Sequence, residues 1–105
     1  MVESVNKRIV KITGKSMEPF LIEGYIAFVS QKPQYIVGDI IIFNYLIDEK
    51  ETLISHRIVF ENNDHYLCKS DNSLNIERIT FSDILGKIVS VESKGKKEHV
   101  EIYIM

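Results

Sequence analysis

The chain has 105 residues, a mass of 12.2 kDa and a formal net charge of −2, a size that suits one domain with a modest core. Apolar residues make up 45% and charged residues 27%, which excludes a disordered, collagen-like or coiled-coil protein. Thirteen Lys and Arg against fifteen Asp and Glu give no basic surface for nucleic acid. We therefore treat residues 1–105 as a single domain without a nucleic-acid partner.

The cysteine and histidine content excludes two kinds of site. Cys68 is the only cysteine, which rules out a disulfide scaffold and fits a reducing compartment. His65 and His99 are expected at the surface and have no ligand-like spacing with Cys68, so we predict no metal and no cofactor.

Neither a membrane span nor a signal peptide is visible. The most apolar stretch, residues 40–47, is far shorter than the roughly 18–20 residues of a spanning helix. The N-terminus has no apolar signal-peptide core. The expected location is the cytoplasm, or a membrane surface if an anchor lies outside this sequence.

Period-two alternation of apolar and polar residues dominates the chain and predicts about seven short strands in an all-β barrel or sandwich-like domain. The run Asp39 to Ile47 is almost wholly apolar and is predicted to be a strand buried on both faces. Hairpins are predicted at residues 62–64 and 93–97. The predicted strands are residues 9–13, 25–30, 39–47, 53–60, 66–69, 87–91 and 100–104.

Evidence for helices is limited to two short segments. Ser82 to Gly86 could form one turn, with Ser82 as its cap and Gly86 as its stop. Residues 16–21 could form another turn, which Pro19 limits in length.

Three residues are candidates for chemistry. His56 shares a strand face with apolar residues, where it is either a core histidine with a satisfied hydrogen bond or a functional group. Ser16 follows a predicted strand, where it could be a helix N-cap or present its hydroxyl to a substrate carbonyl. Asp71 lies in an ordinary Asp-Asn-Ser turn, from which it could also orient a histidine.

Five short blocks together resemble the signal peptidase and LexA-like superfamily of serine peptidases, over about residues 13–91. In bacterial members a lysine base stands where this chain has His56, so the closest resemblance is to the endoplasmic-reticulum and archaeal type of signal peptidase. The resemblance implies a small LexA-like β-barrel or folded β-ribbon. The blocks, in chain order, are Ser16-Met17-x-Pro19, Gly38-Asp39 with four apolar residues, His56-Arg57-Ile58-Val59, Lys69-x-Asp71-Asn72 and Gly86-Lys87-Ile88-Val89.

The resemblance also implies a serine endopeptidase that acts on a peptide or pre-protein. Ser16 would be the nucleophile, with its own backbone N–H as the oxyanion donor. His56 would be the general base, since imidazole titrates near neutral pH. Asp71 would support the imidazole, and Glu77 matches a second acid of the family.

Three departures from the family pattern favour an alternative, a non-catalytic peptide-binding module on the same scaffold. Gly14 stands where many members have a hydroxyl that helps to bind the oxyanion. Tyr25 replaces an aspartate, and Ser70 replaces the glycine of a Lys-Gly-Asp-Asn motif.

Overall fold

The computed structural model describes residues 2–6, 8–92 and 99–101, with side chains throughout except in 3–6 and 99–101. In this part of the chain it contains β-strands and a 3-10 helix of three residues, which confirms the all-β prediction. The elements are β1 (Val2–Asn6), β2 (Ile9–Ile12), β3 (Ile26–Ser30), β4 (Ile40–Ile47), β5 (Lys50–Glu61), β6 (His65–Lys69), β7 (Ile76–Thr80), the 3-10 helix (Phe81–Asp83), β8 (Ile84–Glu92) and β9 (His99–Glu101).

All the described strands belong to one antiparallel sheet with the order β1-β2-β3-β8-β4-β5-β6-β7. The long strand β8 links the two halves, because its first residues pair with β4 and its later ones with β3 and β9. The two ends of this order, β1 and β7, are not paired with each other within the described residues. The sheet is thus an open folded ribbon and not a closed barrel.

The ribbon has one hydrophobic core on each of its two faces, and β4 contributes to both. Ile40 and Ile42 belong to the first core, while Ile41 and Phe43 belong to the second. All four side chains are fully buried, as predicted for a strand covered on both faces, whereas residues 44–47, which the prediction included, are exposed. Burying each of them contributes roughly 1.5–3 kcal/mol, so β4 is the central strand of the fold.

Two strands were not predicted, and both lack alternation. The sequence of β1, VESVN, and that of β7, IERIT, place their apolar residues three apart. Both strands lie at an end of the sheet order. In β7 only Ile79 is buried, and it belongs to the second core.

The predicted helical turn at residues 82–86 is wrong in its bounds. The 3-10 helix begins after Thr80 and ends at Asp83, so Ser82 lies inside it. Gly86 lies within β8, where an added Cβ would come within 2.6 Å of Val29 Cγ1 and 2.9 Å of the Ser30 carbonyl oxygen. Close strand packing accounts for this glycine, and not the end of a helix.

The C-terminal predictions are only partly covered by the structure. The strand predicted at Val100 to Ile104 overlaps β9, which pairs with β8. The hairpin predicted at residues 93–97 lies outside the described residues, as do residues 102–105. Among the helices of the described ranges, none has the length and apolar character needed to cross a membrane.

Candidate active site

Ser16 lies in a compact turn between β2 and β3. The Leu21 N–H donates to the Met17 carbonyl at 2.8 Å, and the Glu18 N–H donates to the Lys15 carbonyl at 3.1 Å. Met17 and Leu21 are buried in the first core, whereas Ser16 itself is half-buried. The turn is therefore anchored by the buried side chains of Met17 and Leu21, and Ser16 is partly open to solvent.

Gly14 is required by the entry into this turn. Its φ is 80°, in the left-handed region that side chains other than glycine rarely adopt. A residue with a hydroxyl at this position would be strained, so the backbone explains the departure from the family pattern. Any oxyanion donor must then come from another group, such as the Ser16 N–H.

His56 lies on β5, on the face of the sheet that carries the second core. It is directly opposite Ile41, and its ring meets Phe43 edge to face with centroids 6.1 Å apart. Its Nδ1 and the Glu77 Oε1 are 2.5 Å apart, and the two side chains are only 12% and 13% exposed. With Nδ1 bonded to a carboxylate, Nε2 is the ring nitrogen left for proton exchange.

Glu77 reaches His56 diagonally across β6. Cys68 on β6 is paired with Ile58 on one side and with Glu77 on the other, and Ile58 shares the face of His56. The contact therefore depends on β7, the strand that the sequence pattern did not reveal. The family resemblance favours Asp71 over Glu77 as the partner of the histidine, because Asp71 matches the aspartate of the Lys-Gly-Asp-Asn motif.

The contact predicted for Asp71 is corrected by the structure. Both carboxylate oxygens of Asp71 accept hydrogen bonds from Arg57, from Nε at 3.0 Å and from Nη2 at 2.9 Å. His56 and Arg57 are consecutive on a strand, so their side chains point to opposite faces. Asp71 meets the face of Arg57, and Glu77 meets the face of His56.

The turn that carries Asp71 is bonded to the serine turn. Asn72 donates from its backbone N–H to the Ser16 carbonyl at 3.1 Å and from Nδ2 to the Lys15 carbonyl at 3.0 Å. The Asp71 N–H donates to the Met17 sulfur at 3.3 Å. Asn72 is the last residue of the Lys69-x-Asp71-Asn72 motif, and these bonds give it a structural role.

Ser70 replaces the family's glycine without backbone strain. Among the described residues other than glycine, only Asp48 and Glu49 have a positive φ. The Ser70 hydroxyl is nevertheless buried without a hydrogen-bond partner within the described residues. A glycine would avoid that penalty, which is about 1–3 kcal/mol for a buried polar group.

The remaining reactive side chains near the site are poorly suited to nucleophilic or metal chemistry. Cys68 is fully buried, and burial together with the negative charge of Glu77 raises the pKa of its thiol to about 12. His65 was predicted at the surface, but its side chain is only 14% exposed and bonds to Asp64. No cluster of three His, Cys, Asp or Glu residues in the described ranges has the arrangement of a metal site.

The described contacts thus join the Ser16 turn to the Asp71 turn and, through Arg57, to β5. His56, in contrast, is bonded to Glu77 on the other face of that strand. None of the described hydrogen bonds joins Ser16 to His56.

A comparison with protein families agrees with the resemblance of the sequence motifs. A model of the family described as Peptidase S24-like matches residues 1–89. Searches of curated proteins and of solved structures gave no match. This match supports the LexA-like and signal-peptidase-like superfamily and, at the level of the family, a peptidase-type hydrolase. The chain belongs to the Peptidase S24-like family.

Proposed function

We propose that this protein is a serine endopeptidase in which Ser16 is the nucleophile, His56 the general base and Glu77 the acid that orients it. The observation that carries the proposal is the half-buried contact of His56 Nδ1 with Glu77. A core histidine needs a hydrogen-bond partner, but a carboxylate is a costly partner to place on an apolar face. Its presence there favours a chemical role.

The proposed reaction begins when Nε2 of His56 accepts the proton of the Ser16 hydroxyl as Oγ attacks a peptide carbonyl. The tetrahedral intermediate carries an oxyanion, which the Ser16 backbone N–H would stabilise. Collapse breaks the peptide C–N bond, and the imidazolium returns its proton to the leaving amine. Water, activated by the same imidazole, then releases the acyl group from Ser16.

The Glu77 carboxylate has two tasks in this scheme. It accepts a hydrogen bond from Nδ1–H, which keeps the proton of the neutral ring on Nδ1 and leaves Nε2 unprotonated. It also stabilises the positive imidazolium that forms after proton transfer. Asp71, to which the family resemblance assigns this role, binds Arg57 and would act on the framework of the site through it.

The finer assignment to the endoplasmic-reticulum and archaeal type of signal peptidase remains part of the proposal. It is supported by histidine at position 56, where bacterial relatives have lysine. We propose a peptide or pre-protein as the substrate. The buried, unpaired Cys68 fits a reducing compartment such as the cytoplasm.

A peptide library tests this function without knowledge of the substrate. The protein and Ser16→Ala are each incubated with peptides from a digested proteome, and new termini are identified by mass spectrometry. We expect termini that arise with the wild type and are missing with Ser16→Ala. Equal sets of termini, or none with either protein, would refute the proposal.

The peptide-binding alternative gives a different result in the same experiment. A binding module would retain a subset of peptides uncut, to the same extent in wild type and Ser16→Ala. Gly14 is the observation that favours it, because it removes a side-chain oxyanion donor.

A further inference from the structure

The turn that carries Ser16 is held by hydrogen bonds from a neighbouring turn, which the proposed chemistry does not use. Asn72 donates to two successive carbonyls, those of Lys15 and Ser16, one bond coming from its side chain and one from its backbone. These carbonyls belong to the two peptide units on either side of the Ser16 Cα. Two bonds from one residue therefore hold both peptide units that orient the serine.

The turn that carries Asn72 is in turn bonded to β5. Arg57 binds Asp71 through two parallel hydrogen bonds and donates from Nη1 to the Gly38 carbonyl at 3.1 Å. Its guanidinium also lies over the Phe20 ring, 4.9 Å from the centroid. Arg57 thus joins the Asp71 turn to β5, to the residue before Asp39, and to the far end of the serine turn.

We infer that Asn72 is a positioning residue, which sets Ser16 against His56 through a link that runs from β5 by way of Arg57 and Asp71. His56 and Arg57 are adjacent on β5, so the base and the anchor move together. Through this link, the position of β5, which carries His56, determines the position of the turn that carries Ser16. This inference rests on the proposed function.

Asn72→Asp is the sharpest single change. It preserves the size of the side chain but replaces the Nδ2 donor by a carboxylate oxygen facing the Lys15 carbonyl, an acceptor against an acceptor. The backbone bond to Ser16 remains possible, so the turn should fold. Asn75→Asp is the matched control, because it makes the same charge change three residues away on an exposed side chain.

Two readouts separate the inference from the proposed function. The first is hydrogen exchange at the amides of Glu18 and Leu21, both bonded inside the serine turn. The second is the rate at which a fluorophosphonate, a small probe that needs no peptide site, modifies Ser16. Small errors in the position of a nucleophile are costly, so we expect about a tenfold slower modification in Asn72→Asp.

The pH profile distinguishes positioning from general damage. The contact of His56 with Glu77 is untouched by Asn72→Asp, so the acid limb of the modification rate should keep its position while the plateau falls. Arg57→Lys should have a similar effect, because lysine cannot form the two parallel bonds to Asp71. The two changes together should cost less than the product of their separate effects, since they interrupt one link.

Each outcome is decisive. Faster exchange and slower modification in Asn72→Asp, with Asn75→Asp like the wild type, support the inference. Unchanged exchange, or faster exchange with an unchanged rate, would overturn it. If the wild type itself is not modified at Ser16, the proposed function fails, and the inference that depends on it is overturned too. Slow modification that is confined to the variants leaves the proposed function intact.

Discussion

His56 and Arg57 are neighbours on β5, yet each binds a different carboxylate: His56 contacts Glu77, and Arg57 holds Asp71 with two hydrogen bonds. Strand geometry is the cause, because successive side chains emerge on opposite faces of a sheet. The two faces of β5 therefore have different roles. One face carries the proposed base, and the other carries the anchor of the loop that faces Ser16.

The division between the two acids predicts unequal effects on catalysis. Glu77→Gln removes the charge that would stabilise the imidazolium and should lower kcat by about 100-fold or more. Asp71→Asn leaves that pair intact and should lower kcat far less. Steady-state kinetics on the peptide cut fastest in the library would measure both.

Loss of the contact between Asp71 and Arg57 should have only a small effect on the free energy of unfolding. The bond of Asp71 to Arg57 is about a quarter exposed, so Asp71→Asn should cost about 1 kcal/mol or less in urea unfolding. If Asp71→Asn abolished cleavage while Glu77→Gln left it unchanged, the roles assigned to the acids would be reversed.

A histidine base predicts loss of cleavage on acidification. Only neutral imidazole accepts a proton, so the cleavage rate should fall as acidification protonates the ring and should be level at higher pH. The rate at which a single peptide is cleaved would be measured from pH 5 to 8. A cleavage rate that does not change across that range would exclude a histidine base.

Cys68 predicts an alkaline loss of stability. Its pKa is raised in the folded protein from 9.0 to about 12 by burial and then by Glu77, so the unfolded chain loses the thiol proton first. The free energy of unfolding should thus be unaffected by this group below about pH 9 and decline between pH 9 and 12.

Cys68→Ala isolates this contribution, because the other alkaline groups titrate in both proteins. The difference in unfolding free energy between wild type and variant should shrink as the pH rises through that window. A difference independent of pH would show that the thiol is not protected. Native protein should also leave a thiol reagent unreacted at pH 8 until it is unfolded.

Two adjacent residues on β5 test the location of the second core. Ile58 is fully buried and Val59 is 40% exposed. Ile58→Ala should cost about 2–5 kcal/mol because it leaves a cavity, and Val59→Ala less than about 1 kcal/mol. Urea unfolding measures both, and equal losses would contradict the assignment of faces.

The sequence pattern was most informative where burial is symmetrical or alternating. The strand at residues 40–47 was predicted from its run of apolar side chains, but only its first half, residues 40–43, is buried on both faces, and residues 44–47 are exposed. His56 was also placed correctly beside Ile54 and Ile58, which are buried. Phe60 is half exposed instead, because the register shifts between Ile58 and Phe60.

The pairing of acids could not be predicted, for a reason of geometry. Glu77 lies on β7, and a strand with apolar residues three apart gives no alternation to recognise. Asp71 was preferred because it matches the aspartate of the family's Lys-Gly-Asp-Asn motif. Which face each acid meets depends on the register of β5, β6 and β7, and short strands with a bulge leave that register undetermined from sequence.

The most direct test of the central claim is to map where a fluorophosphonate attaches, and how fast, in wild type, His56→Gln and Ser16→Ala. Intact mass followed by peptide mapping gives both quantities. We predict one adduct on Ser16, none at this position in Ser16→Ala, and modification at least 100-fold slower in His56→Gln. An adduct on another residue, or an unchanged rate in His56→Gln, would contradict the proposed pairing of Ser16 with His56.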